Sequence, residues 1–309
     1  MPSPFAFARA AARTFVPFAG PTLATHLNNH RVLNAPLPDF PDLTDDDRLL
    51  VIAPHPDDES LCCGGILARA AARGIAAKVA FVTNGDGSRT GQIFKILREP
   101  LARDSDMFSI AQHRQIEAIG ALESVGLGEE NAAFFGFPDG GLTAITRMQR
   151  DEIYWAKTTH RNHVAYPRAY APGARYLRDV LFDLMTRLVR EFQPTIVLTG
   201  HSLDTHPDHA ATHPLALRAI ERAELETAPR VGQYLVHYGV WPVPNGLHAE
   251  LPIAPPAALL RHGKWHSLAL SPDEIAAKLE AIECYQSQLV SLPRYLRAFV
   301  RRNEIFDLS

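Results

Sequence analysis

The sequence predicts an α/β fold in which helices cover both faces of a mostly parallel sheet. From residue 48 onward, short apolar runs typical of buried strands alternate with segments of helical periodicity. Strands that are separated by helices pair in parallel through right-handed crossovers. The chain has 309 residues, of which 46% are apolar and 21% charged, an ordinary composition for a globular protein with a full-sized core. We therefore predict a Rossmann-like three-layer α/β/α sandwich.

Residues 1–46 are predicted to form an N-terminal extension and connector, followed by a single domain over residues 47–309. The segment "FAFARAAARTFVPFAGPTLATHL" is broken by Pro17 and Pro21 and makes a poor signal peptide. Its Phe and Ala spacing would suit a basic amphipathic helix on a membrane surface, but we favour a helix docked on the domain. The Pro- and Asp-rich "NAPLPDFPDLTDDD" is predicted to connect it to the first strand.

Four apolar runs of six or seven residues are the predicted strands: "RLLVIA", "AKVAFVT", "AAFFGF" and "TIVLTG". The helical patterns between and after them are "GGILARAAARG", "HRQIEAIGALESVGL", "YLRDVLFDLMTRLVREF" and "HAATHPLALRAIERA". Residues 240–272, rich in Pro and His, are predicted to be an extended excursion before a last helix, "DEIAAKLEAIECYQSQL". In such sheets, ligands bind outside the carboxyl ends of the strands.

The composition argues against several classes of protein. The formal net charge of −3 provides no basic field for nucleic acid, so we expect no nucleic-acid partner. The cysteines, Cys62, Cys63 and Cys284, form neither a CxxC pair nor an even-numbered framework, which indicates reduced thiols in a cytoplasmic protein. No uninterrupted apolar run approaches the roughly 18–20 residues of a membrane span.

Two polar clusters follow predicted strands at their carboxyl ends. They are "APHPDDES", directly after "RLLVI", and "GHSLDTHPDHAATH", at the end of "TIVLTG". Two histidines and one carboxylate, with a fourth position left to water, form the usual hydrolytic zinc site. The chain has 14 histidines, so any single one could be an ordinary surface residue, but a His-Pro-Asp triplet after two strands favours a metal-dependent hydrolase. The polar side chains of the clusters are His55, Asp57, Asp58, Glu59, His201, Asp204, His206, Asp208, His209 and His213.

The motif "PHPDDE", with "HPDH" some 150 residues later, resembles the PIG-L or LmbE-like family of the N-acetylglucosaminyl-phosphatidylinositol deacetylase type. The similarity continues through "TNGDGS", "HRQIEAIGALESVGL", "FFGFPDGGL" and "YQSQL", and it covers most of residues 48–305. The family's first motif usually begins Ala-His-Pro, whereas Pro54 precedes His55 here. The resemblance implies an LmbE-like sandwich fold and a metal-dependent deacetylase.

Position by position, the resemblance implies that His55, Asp58 and His209 bind one zinc ion per chain, or another divalent ion in its place. Asp57 matches the family's general base, the carboxylate that accepts a proton from the attacking water. His206 matches the histidine that stabilises the tetrahedral oxyanion or assists the leaving amine.

The resemblance also suggests roles for three further residues, and a fourth, His237, is a candidate by its position alone. Asp208 would orient the catalytic histidine that precedes it, or cap the helix "HAATHPLAL". Arg114 would face the sugar or its attached group; the alternative is a helix-surface pair with Glu117. Asp139 would receive sugar hydroxyls, or be a turn aspartate before two glycines. His237, at the end of a further strand in "YLVHYGVWP", is a weaker substrate-binding candidate and would otherwise be a packed residue.

We therefore expect a cytoplasmic zinc-dependent N-deacetylase that acts on a small N-acetylated amino sugar or its conjugate. The sequence is compatible with a homo-oligomer. The alternatives are a metal-dependent phosphoesterase and a non-catalytic nucleotide- or metal-binding protein. A two-metal phosphoesterase needs further bridging carboxylates, for which Glu59 and Asp204 are spare. A nucleotide-binding module would show GxGxxG after the first strand, which is missing here. Residues 143–172 and 240–272 are predicted to select the substrate.

Overall fold

The computed structural model describes residues 36–88, 91, 93 and 107–309. Its strands are β1 (Arg48–Ala53), β2 (Ala76–Thr83), β3 (Ala132–Phe137), β4 (Ile196–Gly200), β5 (Arg230–Tyr234), β6 (Trp265–Ala269) and β7 (Asn303–Asp307). They form one sheet in the order β3-β2-β1-β4-β5-β7-β6. Strands β1 to β5 are parallel, whereas β7 pairs antiparallel with β5 and β6. The predicted mostly parallel α/β architecture is therefore confirmed.

Helices cover both faces of the sheet. One face carries α1 (Asp58–Ala72), α2 (Met107–Ser124) and α6 (Pro272–Cys284), and the other carries α3 (Leu142–Arg147), α4 (Arg178–Phe192) and α5 (Pro207–Ala223). Two short helices, α7 (Gln286–Leu289) and α8 (Pro293–Arg297), follow α6, and a 3₁₀ turn lies at Glu129–Asn131. The arrangement has the three layers that the alternation of strands and helices predicts.

The central strand β1 shows why its sequence is a continuous apolar run. Leu49 and Val51 face the core that contains α1 and α6, whereas Leu50 and Ile52 face the core that contains α4 and α5. All four side chains are fully buried. A parallel strand that is covered on both faces needs apolar side chains at every position, not at alternate ones.

The order of the strands reverses between β1 and β4. From β1 the chain continues outward to β2 and β3, and from β4 it continues in the opposite direction to β5. In open α/β sheets, the crevice at such a switch point is the usual ligand site, because the loops at the carboxyl ends diverge there. The loops that follow β1 and β4 are the two that carry the His-Pro-Asp triplets.

Several element boundaries differ from the predicted ones. Helix α1 begins at Asp58, six residues before the predicted start at Gly64, because its first turn is polar. The predicted excursion 240–272 contains the edge strand β6, a five-residue strand in which the adjacent polar residues His266 and Ser267 interrupt the apolar pattern. The predicted last helix is interrupted at Tyr285, where the backbone leaves helical geometry between α6 and α7.

The described part of the connector packs on the domain. Phe40 and Leu43 are buried in the core, and the Phe40 ring centroid lies 5.0 Å from that of Phe306 in β7. The predicted helix in the N-terminal extension lies outside the described residues. Among the helices of the described ranges, none combines the length and apolar character needed to cross a bilayer.

Candidate metal centre

Both His-Pro-Asp triplets lie in the crevice between β1 and β4. Helix α1 begins at Asp58 and helix α5 at Pro207, so each motif ends in the first turn of a helix. Pro207 is the first residue of α5. At this position proline costs no hydrogen bond, because the first N–H of a helix has no partner within the helix, and its ring fixes a helical φ. His209 therefore lies in the first turn of α5, as predicted, and its ring faces the motif that follows β1.

The structure brings the three predicted metal ligands together. His55 Nδ1 lies 3.2 Å from Asp58 Oδ2 and 3.1 Å from His209 Nε2, and His209 Nε2 lies 3.3 Å from Asp58 Oδ2. Two ligands of a tetrahedral zinc ion with bonds of about 2.0 Å are separated by about 3.3 Å, so these spacings fit an ion bound to all three atoms. Two imidazoles and a carboxylate also leave a fourth position for water or substrate, as in catalytic sites. We name these three residues the ligand triad.

His55 also belongs to two other groups whose potential ligand atoms lie within 4.8 Å of one another. One group includes His206 and His209, and the other includes Asp139 and Asp208. Asp139 Oδ2 and both oxygens of Asp208 accept backbone N–H groups of nearby loops, whereas in the triad Asp58 Oδ2 accepts the N–H of His55 at 2.9 Å. The ligand triad is more compact, so it remains the better candidate for the ion.

The second nitrogen of each triad histidine faces a carboxylate. Asp139 Oδ1 lies 3.2 Å from His55 Nε2, and Asp204 Oδ2 lies 3.3 Å from His209 Nδ1. Neither contact has the alignment of a good hydrogen bond, so each carboxylate acts chiefly through its charge. Such a charge favours the ring proton on the facing nitrogen and leaves the other lone pair for an ion.

The charges around the triad stabilise positive charge at its centre. Burial by itself would raise the pKa of Asp58, but His209 and His55 outweigh it and hold this pKa below its usual range. Burial would lower the pKa of His55, yet Asp139 above all raises that pKa well above the usual value. The pKa of His209 is likewise raised, against burial, by Asp58 and Asp204. A field that favours protonated imidazoles also favours a divalent cation.

Asp204 connects the histidines of the site to one another. Besides facing His209, its Oδ2 accepts backbone N–H bonds from Val236 at 3.0 Å and His237 at 2.9 Å, and its Oδ1 accepts from His206 at 2.8 Å. Its side chain is fully buried. The sequence indicated Asp204 only as a spare carboxylate, and no local pattern reveals a bond to a loop more than thirty residues away.

Asp57, the predicted base, has an unusual backbone conformation. Its φ is 127°, a region that residues other than glycine seldom occupy. Its N–H donates to Glu59 Oε2 at 3.1 Å, and its Oδ2 accepts from Arg114 Nη2 at 3.1 Å. Burial raises the pKa of Asp57 to about 8, although Arg114 opposes the increase. These contacts fix the Asp57 side chain directly before Asp58. A carboxyl with this pKa holds its proton at neutral pH, and a divalent cation at the triad would lower the pKa and favour the carboxylate.

Arg114 contacts two of the loops that surround the site. It is buried, and its guanidinium donates to the backbone oxygens of Pro56 and Gly85 as well as to Asp57. A Cβ at Gly85 would lie only 1.7 Å from Arg114 Nη1, so this close packing requires glycine there. Arg114 therefore supports the loops after β1 and β2. The alternative interpretation, a surface pair with Glu117, is not formed, because Arg114 is buried and Glu117 accepts from the backbone N–H and the hydroxyl of Ser287.

Asp139 makes contacts to His55 and to two neighbouring loop residues. One oxygen faces His55, and the other accepts the N–H of Gly87 at 3.1 Å. Its backbone N–H donates to the buried Asp86 at 2.7 Å. The residue does lie in a turn, in which Gly141 N–H donates to Pro138 O at 3.1 Å, as its alternative interpretation states. Both oxygens are thus engaged within the protein.

Glu59 and Tyr285 form a support that the sequence did not reveal. Tyr285 OH donates to Glu59 Oε1 at 2.5 Å, and Ser60 Oγ donates to the same oxygen at 2.6 Å. The other oxygen of Glu59 accepts the Asp57 N–H. The only sequence signal for Tyr285 was its place in "YQSQL". Tyr285 lies at the break between α6 and α7, and its side chain reaches Glu59 in the first turn of α1.

His206 is the residue that caps α5, so the prediction of Asp208 as the cap is wrong. His206 Nδ1 accepts the backbone N–H of Asp208 at 3.3 Å. The Asp208 carboxylate instead accepts N–H bonds from Gly140 at 2.6 Å and Leu142 at 3.1 Å, which tie the loop after β3 to α5. No bond from this carboxylate orients the ring of His206. Burial, with His55 and His209, lowers the pKa of His206 to about 4, so the ring is neutral at neutral pH.

His237 lies three residues beyond β5 and is half-buried beside the site. Its ring centroid is 4.9 Å from that of His209 and 5.5 Å from that of His206. Tyr295 OH donates to Val236 O at 2.7 Å and lies 3.1 Å from His237 Nδ1, which places the ring proton on that nitrogen. Nε2 is then the acceptor, and burial lowers the pKa of His237 to about 3.

Solved structures share this fold. The antimicrobial A40926 pseudoaglycone deacetylase Dbv21 superposes with a TM-score of 0.54 at 21% identity, covering 85% of this chain and 96% of that chain. The N,N'-diacetylchitobiose deacetylase from Pyrococcus horikoshii gives a TM-score of 0.50 at 17% identity and covers 84% of this chain and 82% of its own. At these identities the likeness concerns the fold alone.

Sequence relatives include several named 1D-myo-inositol 2-acetamido-2-deoxy-alpha-D-glucopyranoside deacetylase. One from Saccharopolyspora erythraea is 31% identical over 182 residues, which cover 57% of this chain and 54% of the relative. One from Tsukamurella paurometabola is 26% identical over 273 residues, with coverages of 80% and 84%. The chain spans about half the length of the Saccharopolyspora and Streptomyces relatives.

The family model of PIG-L, GlcNAc-PI de-N-acetylase, matches residues 50–220. This span is more than half of the chain, and it begins within β1 and ends within α5. It contains both His-Pro-Asp triplets and all three residues of the ligand triad. The chain therefore belongs to the PIG-L family.

Proposed function

We propose that the protein is a metal-dependent N-deacetylase that hydrolyses the acetamide of an N-acetylated amino sugar or its conjugate. The observation that carries this proposal is the ligand triad, whose three atoms lie within 3.3 Å of one another with Asp57 beside them. The names of the sequence relatives, which are deacetylases of an acetamido sugar linked to inositol, support the class of substrate. We propose zinc, one ion per chain, as the metal.

An ion held by the triad would act as a Lewis acid that polarises the acetamide carbonyl and acidifies water. Asp57 would accept the proton of the attacking water as the new C–O bond forms. Its carboxylate is held for this purpose by Arg114, and its backbone by Glu59. We infer that Arg114 and Asp139, predicted to bind substrate, are positioning residues for Asp57 and His55 respectively.

His206 would stabilise the negative charge that develops on the carbonyl oxygen. Because its Nδ1 accepts the Asp208 N–H, the neutral ring carries its proton on Nε2 and can donate there. When the C–N bond breaks, the leaving nitrogen takes the proton that Asp57 received from water. The immediate products are the neutral amine and acetic acid; transfer of the acid proton to the amine leaves an ammonium group and acetate, so atoms and charge balance.

The contacts of the two spare carboxylates, Glu59 and Asp204, argue against the phosphoesterase alternative. Glu59 is bonded to Ser60, Tyr285 and the Asp57 N–H, and Asp204 is bonded to three backbone N–H groups. Neither is available to bridge a second ion. The three cysteines are unpaired, which supports the proposal of a cytoplasmic location.

The test is an assay of amine release from a panel of N-acetylated sugars, run beside elemental analysis of protein purified without added metal. We expect about one divalent ion per chain, loss of activity with a chelator, and recovery with zinc. Full activity in protein that holds no metal would contradict the proposal, as would absence of amine release from every sugar with zinc present.

A further inference from the structure

A groove of about 640 Å³ lies next to the ligand triad. Thr205 and His237 contribute both to this groove and to the site, since Thr205 precedes His206 and the His237 ring lies 4.9 Å from that of His209. Grooves of roughly 300–1,000 Å³ hold ligands larger than a single sugar ring. A substituent on a sugar whose acetamide reaches the triad would therefore enter this groove.

The lining of the groove is largely apolar. Leu292, Pro293 and Tyr295 provide aliphatic and aromatic surface, and Asn245 and Arg294 add polar groups. Leu292 is 37% exposed, and its neighbour Val290 is 41% exposed. Large apolar side chains that cluster in a concave surface next to a reactive site mark a binding surface for apolar groups.

The groove is held in place by contacts to the site. The rings of His237 and Tyr295 are stacked, with centroids 5.9 Å apart and planes at 9°, and Tyr295 OH donates to Val236 O. On the opposite side of α8, Arg294 O accepts the N–H of Gly246 at 2.8 Å. A wall fixed in this way needs little reorganisation to bind a ligand.

We propose that the groove binds an apolar aglycone, an alkyl chain in glycosidic linkage to the N-acetylated amino sugar. This inference rests on the proposed deacetylase function. A polar inositol, the group in the names of the relatives, would lose water against the apolar surface of Leu292 and Pro293, and only polar groups of the lining such as Asn245 and Arg294 could compensate with hydrogen bonds. Apart from Thr205, the lining lies outside residues 50–220, so the substrate class can differ from that of relatives that share the triad.

The test compares three substrates of the full chain with zinc: octyl N-acetylglucosaminide below its micelle concentration, the inositol glycoside of N-acetylglucosamine, and free N-acetylglucosamine. We expect kcat/KM for the octyl glycoside to exceed that for the inositol glycoside by about tenfold or more, since a single methylene in an apolar pocket already changes selectivity by roughly tenfold. Leu292→Asp should lower the ratio of kcat/KM between the octyl glycoside and the free sugar by about tenfold.

The control is Leu217→Asp, a substitution of another exposed leucine, 44% accessible, on α5 outside the groove lining. It should leave that ratio unchanged, and Leu292→Ala serves as a milder second variant that should lower it less. Similar kcat/KM values for all three substrates would overturn the inference while the deacetylase function stands. A Leu292→Asp protein that keeps the ratio would also overturn the inference. The same holds if this variant changes only its oligomeric state in sedimentation, because the groove would then be an interface between two copies of the chain. No amine release from any substrate would overturn the deacetylase function itself, and this inference with it.

Discussion

The carboxylate of Asp204 offers the sharpest test of how the metal centre is organised. Asp204→Asn keeps the size and shape of the side chain, but it removes the negative charge that faces His209 Nδ1 and replaces one acceptor oxygen by an NH₂ donor. With the amide oxygen in the place of Oδ2, the bonds from Val236 and His237 survive, and the NH₂ then faces the His206 N–H. The opposite orientation would lose two backbone bonds instead of one.

The magnitude follows from the less costly orientation. Losing one buried hydrogen bond to a charged acceptor costs about 1.5–3 kcal/mol, so we expect the free energy of unfolding of the metal-free protein to fall by about that amount. Removing the partner of a metal-binding histidine typically weakens metal binding about 10- to 100-fold. At about 1.4 kcal/mol per tenfold, this is about 1.4–2.8 kcal/mol of binding free energy.

The assay is competition between the metal-free protein and a chromophoric zinc chelator, which yields the metal Kd without reference to activity. Urea unfolding of the same samples gives the change in stability. Asp183→Asn is the matched control, because Asp183 is 61% exposed and pairs only on the surface, with Arg222 at 2.6 Å. If Asp204→Asn bound zinc as tightly as the unmodified protein, the carboxylate would not position His209, and this account of the site would be refuted.

Two further predictions concern the predicted base and the two histidines of "HPDH". Asp57→Asn should retain its metal while kcat falls about 10²- to 10⁴-fold, since only the proton acceptor is lost; metal loss in this variant, measured by elemental analysis, would make Asp57 a ligand. His209→Ala should lose metal and recover activity only at high zinc concentration. His206→Ala should keep its metal and lose about 10²- to 10³-fold in kcat, as for one oxyanion donor; equal metal loss in both variants would contradict the separate roles.

The parts of the site that the sequence predicted are those determined by local geometry. A His-Pro-Asp triplet directly after a buried strand lies at the carboxyl edge of a parallel sheet, and two such edges meet at the switch point between β1 and β4. The helices that begin at Asp58 and Pro207 then place one ligand in each first turn. The identity and parallel direction of β1 to β4 and the location of the crevice follow from the same apolar pattern, whereas the antiparallel strands β6 and β7 do not.

The parts that the sequence did not predict depend on contacts between distant segments. Arg114 lies on a helix whose pattern cannot distinguish a substrate-facing arginine from a buried one, and its partners belong to loops after two other strands. The bond from Tyr285 to Glu59 joins residues 226 positions apart. The groove residues 291–295 also lie outside the two predicted selectivity segments, of which only 240–272 contributes, through Asn245.

The reaction and the choice of substrate come from different parts of the chain. The ligand triad and Asp57 follow β1 and β4, within the region that matches the PIG-L family, and the carboxylates of Asp139 and Asp204 face the triad histidines. The groove is formed mainly by residues beyond β5, and it contacts the site through His237 and Tyr295. If the groove binds the aglycone as proposed, substitution of an exposed side chain such as Leu292 should change which aglycone fits without moving a ligand atom. A site divided in this way allows members of one family to share their hydrolytic chemistry while they differ in substrate.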